Sequence, residues 1–163
     1  MAYCEACESR VHIESAAGAV LVTPGRRSTA HGPEPPKPRL LLVDDEPLIA
    51  GLIQRTLRRS WDITCASSAS AGLELIRTQS FDAILCDLMM PVMTGMEFEE
   101  KLARLNPALR ARTLFLTGGA ATPEAEAFLA RPDVRHLTKP LRMADLDARL
   151  LALLAQAPPA SHP

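Results

Sequence analysis

From residue 39 onward, short strand-length runs alternate with segments whose apolar residues recur at helical spacing. Leu40-Leu41-Leu42-Val43 is the first run; Asp62 to Ala66, Ala83 to Cys86, Arg112 to Thr117 and Val134 to Leu137 follow. Between and after them come Leu48, Ile49, Leu52, Ile53 and Leu57, then Leu73 and Ile76 behind a cap at Ser68 or Ser70. Phe98, Leu102 and Leu105 come next, then an alanine-rich segment from Pro123 to Ala130, then Met143, Leu146, Leu150 and Leu153. Apolar residues at i, i+3 and i+4 predict helices, and short apolar runs bounded by turn residues predict buried strands. Strands that alternate with helices are parallel, because a helical crossover must return the chain to the same edge. The strands are apolar on both sides, which requires cover on both faces. The expectation is a doubly wound α/β fold: a five-stranded parallel sheet with helices on both faces, spanning residues 39–157.

Against that pattern five polar residues stand out, and each ends a strand. Asp44 and Asp45 close the first, Asp87 the third, Thr117 the fourth and Lys139 the fifth. Taken singly, each has an ordinary structural role: acids cap helices, threonines end strands, lysines solvate edges. Taken together they share the carboxyl edge, where open sheets of this kind bind ligands. Carboxylates about 4 Å apart repel by roughly 4 kcal/mol at an effective dielectric near 20, so such a cluster calls for a cation. Oxygen-only ligands favour a hard divalent ion such as Mg²⁺. A lysine and a hydroxyl can hold the oxygens of a phosphoryl group, and an aspartate can itself be the nucleophile that accepts one. The pattern therefore points to metal-assisted phosphoryl transfer onto a carboxylate of the protein, driven by positioning and charge neutralisation.

These residues carry a resemblance. Leu42-Val43-Asp44-Asp45-Glu46-Pro47, Asp87-Leu88-Met89-Met90-Pro91 with Gly95, Leu116-Thr117-Gly118 and Lys139-Pro140 resemble the motifs of a two-component response-regulator receiver domain (CheY-like), over roughly residues 38–156. The resemblance implies the flavodoxin-like strand order 2-1-3-4-5. It implies Asp87 as acceptor of a phosphoryl group from the phosphohistidine of a histidine kinase or histidine phosphotransfer protein. Asp45 and Asp87 would bind Mg²⁺ directly with the main-chain carbonyl of Met89, and Asp44 would assist through water. Lys139, with a cis peptide before Pro140, would contact the phosphoryl group. Thr117 would donate its hydroxyl to that group and draw its loop inward, a two-state switch biased by new charge. Three residues before the lysine the family often has Tyr or Phe; here stands His136, a side chain that could add pH sensitivity to the switch or simply sit at the surface.

The rest of the chain narrows the alternatives. With 18 basic against 19 acidic residues in 163, the protein lacks the basic footprint of a direct nucleic-acid binder. No run is apolar enough to span a membrane, and Glu5, Glu8, Arg10 and His12 interrupt any signal-peptide core. Cys4 and Cys7 form a lone C-x-x-C without a second ligand pair at zinc spacing; neither His12 nor His31 supplies one. Cys65 and Cys86 are expected as small buried hydrophobes. Nothing demands an oxidising compartment, so the cytoplasm is the expected location. Residues 26–38 contain Pro33, Pro35, Pro36 and Pro38 and read as a linker. Ahead of it, residues 1–25 form an arm with two strand-like stretches, Arg10 to Ser15 and Val20 to Val22, around a small-residue turn. That arm resembles the last β-hairpin of a kinase ATP-binding domain, which suggests the receiver of a hybrid histidine kinase or a relic of one. Residues 158–163 are expected to be a disordered tail, too short for an output domain. Such a protein would be a signalling receiver that catalyses only its own phosphorylation and dephosphorylation. Two competing readings are a pseudo-receiver, binding proteins independently of phosphorylation, and a phosphatase acting on other substrates. The complete acid, threonine and lysine set argues against the former; the absence of a general acid beside Asp87 argues against the latter.

Overall fold

A computed structural model of the chain describes residues 2–4, 9–11, 36–119 and 122–156. The chain divides into two units, residues 1–36 and 37–163. In the first, β1 (Ala2–Cys4) pairs antiparallel with β2 (Ser9–Val11), with Ala2 opposite Val11. The strand expected to begin at Arg10 thus has a partner that its alternation did not reveal, namely the first residues of the chain. The expected strand at Val20 to Val22, the linker residues up to 35, Cys7 and residues 158–163 lie outside the described residues.

In the second unit the strands are β3 (Arg39–Val43), β4 (Asp62–Ala66), β5 (Ala83–Asp87), β6 (Thr113–Thr117) and β7 (Arg135–Thr138). All neighbouring pairs are parallel, in the order β4-β3-β5-β6-β7. Numbered from the first strand of this unit, that is 2-1-3-4-5, the flavodoxin-like order. The crossovers carry α1 (Pro47–Leu57), α2 (Ala69–Thr78), α3 (Gly95–Leu105), α4 (Pro107–Arg110) and α5 (Pro123–Leu129); α6 (Met143–Gln156) follows β7.

Strand alternation divides the core in two. Leu41, Val43, Ile84, Cys86 and Phe115 point to the face covered by α2, α3, α4 and α5, where they meet Leu73, Ile76, Phe98, Leu102, Leu109 and Phe128. Leu40, Leu42, Leu85, Leu114 and Leu116 point the other way, onto Ile53 and Leu57 of α1 and Leu146, Leu150 and Leu153 of α6. Each fully buried leucine or phenylalanine of these layers contributes about 1.5–3 kcal/mol. Trp61, buried after α1, donates its indole N–H to Asp147 Oδ1 at 2.9 Å and so ties that turn to α6.

Local signals account for the element ends. Pro47 opens α1, Pro107 α4 and Pro123 α5, positions where a missing N–H costs nothing. Ser68 caps α2, and Thr94 with Glu97 forms a capping box on α3. Two expectations need correction. Cys65 is exposed, because β4 is an edge strand with a paired neighbour on one side only. Leu48 and Leu52 face outward, because the apolar arc of α1 is wider than the stripe that packs, formed by Ile49, Ile53 and Leu57. The structure also places a one-turn helix, α4, between α3 and the fourth strand, begun by Pro107 behind the Asn106 cap.

Candidate functional site

The register carries Asp44, Asp87, Thr117 and Lys139 to one edge. Val43 lies opposite Cys86, and Asp87 opposite Leu116, so the residues that follow leave the sheet side by side. Asp44, Asp45 and Asp87 each bring one carboxylate oxygen within 4.8 Å of the others. Lys139 reaches in from the end of β7, its Nζ 3.3 Å from Asp87 Oδ2 and 3.9 Å from Asp44 Oδ2. The peptide between Lys139 and Pro140 is cis. The Lys139 amide donates to the carbonyl of Thr117 at 2.7 Å, which holds the end of β7 against β6.

The three acids differ in setting. Asp44 and Asp87 are buried, and Asp45 is exposed. Asp44 Oδ1 accepts the Glu46 amide at 2.8 Å, but Oδ2 is buried with no hydrogen-bond partner. Burial pushes the Asp44 carboxyl above its ordinary value; the Glu46 amide and Lys139 oppose this, and the charges of Asp87 and Asp45 add to it. A buried carboxylate oxygen without a donor is costly. A cation among the three acids would relieve it, so the residues present fit a hard divalent ion.

The loop after Asp87 depends on one glycine. A Cβ at Gly95 would come within 2.7 Å of the Asp87 carbonyl and 2.9 Å of Leu88 Cα, so only glycine lets the start of α3 approach this closely. The Gly95 amide donates to the Leu88 carbonyl at 2.9 Å. Val92, in the same loop, holds a φ of 68° and is fully exposed. Cys86, buried beneath the site, directs its thiol to the Asp87 carbonyl, and burial pushes that thiol well up.

Thr117 is buried at the end of β6 with its hydroxyl turned to its own loop: it accepts from the Gly119 amide and donates to the Gly119 carbonyl, both at 3.1 Å. His136 lies on edge strand β7 opposite Phe115 and is exposed. Asp44, Asp45, Asp87 and Lys139 of the five outliers therefore converge, Thr117 ends the neighbouring strand with its hydroxyl on Gly119, and His136 is exposed on the edge strand.

A model of the response regulator receiver domain matches residues 40–151. The chain belongs to the response-regulator receiver family. The receiver is 35% identical over 116 residues to the probable transcriptional regulatory protein TcrX of Mycobacterium tuberculosis, covering 71% of this chain and 49% of that protein. It is 37% identical over 122 residues to the transcriptional activator protein PfeR of Pseudomonas aeruginosa, covering 73% of this chain and 38% of that one. The chain thus spans less than half the length of these curated relatives. Among solved structures it is similar to a CheY-like receiver domain protein from Methanospirillum hungatei, with 27% identity and a TM-score of 0.67, covering 74% of this chain and 96% of that one.

The sequence reading missed a second charged cluster in the receiver. Glu99 of α3 is buried and shared by Arg110, at 2.5 Å, and Arg131, at 3.1 Å; both arginines also bind Asp133. Its one sequence signal was a glutamate beside Phe98 on the buried side of α3. No helix among the described residues is long and apolar enough to cross a membrane.

Proposed function

We propose that this chain is the phosphoryl-accepting receiver of a two-component phosphorelay, with Asp87 as acceptor. One observation carries the reading: three carboxylates converge within 4.8 Å, and the ammonium of Lys139 lies 3.3 Å from Asp87. An Asp87 oxygen attacks the phosphorus of a phosphohistidine on a histidine kinase or phosphotransfer protein. The P–N bond breaks, a P–O bond forms, and imidazole leaves. Lys139 holds an oxygen of the incoming group, and Thr117 exchanges its bonds to Gly119 for one to that group. Asp44, Asp45, Asp87 and the Met89 carbonyl would hold Mg²⁺, which would supply neutralisation of charge on the transferred group. Hydrolysis of the aspartyl-phosphate resets the protein, which acts on no other substrate. We place it in the cytoplasm, where its phosphohistidine donor is formed. His136 is read as an exposed side chain that joins the switch only by turning inward beside Thr117.

Residues 39–157 are proposed as the receiver and residues 26–38 as its linker. The arm of residues 1–25 is proposed as a remnant of a hybrid-kinase hairpin. The pseudo-receiver alternative finds no support in the pocket, whose acids, threonine and lysine are all present.

The test is direct. Incubation with Mg²⁺ and a small acyl-phosphate should add one phosphoryl group to the intact mass. Asp87→Asn should abolish the gain, and chelation of Mg²⁺ should suppress it. A chain that gains no mass, or gains it equally with Asn at 87, is not a phosphoryl acceptor at this residue.

A further inference from the structure

A cavity of about 300 Å³ opens between β7 and α6. Leu114 of β6, Val134 and Leu153 of α6 supply its apolar wall, and Arg135, His136 and Arg149 supply the polar one. Leu114 and Arg135 are paired in register near the start of their strands, at the edge opposite Thr117 and Lys139. The cavity is therefore separate from the acid pocket. Its volume lies at the small end of ligand cavities, which run from roughly 300 to 1,000 Å³.

Two arginines and a histidine line this cavity, and no carboxylate does. Arg135 is fixed in place, its Nη1 donating to the Ala111 carbonyl at 3.0 Å. Its remaining side-chain N–H groups, and all those of Arg149, have no acceptor among the described residues. The last turn of α6 holds no basic residue, so Arg149 lies above it and the helix dipole does not account for its place. A third arginine stands beside the wall. Arg112 lies one residue ahead of β6, next to Ala111; it is 4% exposed, and its Nε is buried with no acceptor. Its carbonyl takes the Ile84 amide at 3.1 Å, which continues the ladder past the end of β6. Alternation along that ladder puts Arg112 on the side of Leu114. A buried donor left unmatched is costly, and like charges gathered without a counter-ion repel. An anion in the cavity offsets that repulsion.

We propose that this cavity binds a small organic anion, an acid group carried on an apolar body. The acid group sits against Arg135 and Arg149, because a planar guanidinium meets two oxygens of such a group at once. The apolar body lies on Leu114, Val134 and Leu153. His136, which stands where the family often has Tyr or Phe, lines this cavity rather than the acid pocket. The test needs neither Mg²⁺ nor a phosphoryl donor, so it stands apart from the reading of Asp87.

Amide NMR shifts of the full chain are followed as phenylbutyrate or, separately, anilinonaphthalenesulfonate is added. The amides of Arg135, His136, Ala152 and Leu153 should move together and saturate. Phenylbutyramide keeps the apolar body and loses the charge, and it should bind about tenfold more weakly than phenylbutyrate. Arg149 is exposed, so Arg149→Gln should leave the rest of the spectrum in place and weaken both anions about tenfold. Arg135→Gln should do the same and serves should the first variant fold poorly. Cavity amides that neither anion moves overturn the proposal. So does an amide that binds as tightly as the acid, or binding left unchanged by both arginine variants. Shifts confined to the surroundings of Asp87 and Lys139 would put the anion in the acid pocket and overturn it as well.

Discussion

Two acid clusters sit on this receiver, and cations balance one of them but not the other. At the carboxyl edge of the sheet, Asp44, Asp45 and Asp87 share Lys139, and a buried Asp44 oxygen goes without a donor. Beside α3, Glu99 and Asp133 share Arg110 and Arg131, and both acids have charged partners. The residue types are nearly the same. The first cluster is unfinished, and its excess negative charge suits it to a hard divalent cation. The second is closed, and what it does is hold elements together. Balance of charge, rather than its presence, separates a site from a brace.

The largest stability effect should come from opening the brace. Glu99→Gln leaves two guanidiniums facing a neutral amide in a nearly buried position. Because the arginines are partly exposed, the loss should be about 2 kcal/mol, below the full cost of breaking a buried pair. Urea unfolding measures it, and a loss near zero would erase the contrast between the two clusters.

Next comes a change of opposite sign at the pocket. Asp44→Asn keeps an oxygen for the Glu46 amide and removes a crowded charge, so the metal-free protein should gain about 1 kcal/mol. Added Mg²⁺ should stabilise the wild type more than the variant, because a ligand that binds the folded state alone raises its stability. A variant that is less stable without metal would mean that Lys139 already balances the pocket.

The smallest effect sharpens the comparison through pH. The Asp44 carboxyl is raised, chiefly by burial, so its ionisation disfavours the fold; its cost appears as pH rises through the folded value and is absent in more acid solution. Asp133 is held well below the usual carboxylate range, first by Arg131 and then by Arg110. Its contribution is present above the unfolded value near 4 and is lost as pH falls below it. Urea midpoints between about pH 3 and 7 should therefore show Asp44→Asn drawing ahead of the wild type and Asp133→Asn falling behind as pH rises. Parallel curves would remove the opposition between the two acids.

The sequence made the sheet legible because its strands are short and mostly apolar, and four of the five run into an aspartate, a threonine or a lysine. Asp87 could be singled out because it ends the apolar run Ala83 to Cys86 at the same edge as Asp44, Asp45, Thr117 and Lys139. What stayed hidden was long-range. Glu99 looks like any surface glutamate until Arg110 and Arg131, 11 and 32 positions further on, are seen to meet it. Leu48 and Leu52 fit the helical period as well as Ile49 and Ile53 do, and periodicity alone does not say where an apolar arc ends. Cys65 fits a strand without revealing that the strand is an edge. The Thr117 hydroxyl was assigned to a phosphoryl group, and nothing in the sequence indicates that it first turns to Gly119.

The division of the core into two faces has an optical consequence. The four phenylalanines, Phe81, Phe98, Phe115 and Phe128, all lie on the face of α2 to α5, and the single tryptophan, Trp61, lies on the leucine face with α1 and α6. Indole fluorescence is thus a native gauge of the leucine face. It should shift sharply when the receiver unfolds or when Asp147 is removed, and it should respond little to a change confined to the face of α2 to α5. The protein carries a probe that separates loss of the scaffold from movement of the switch.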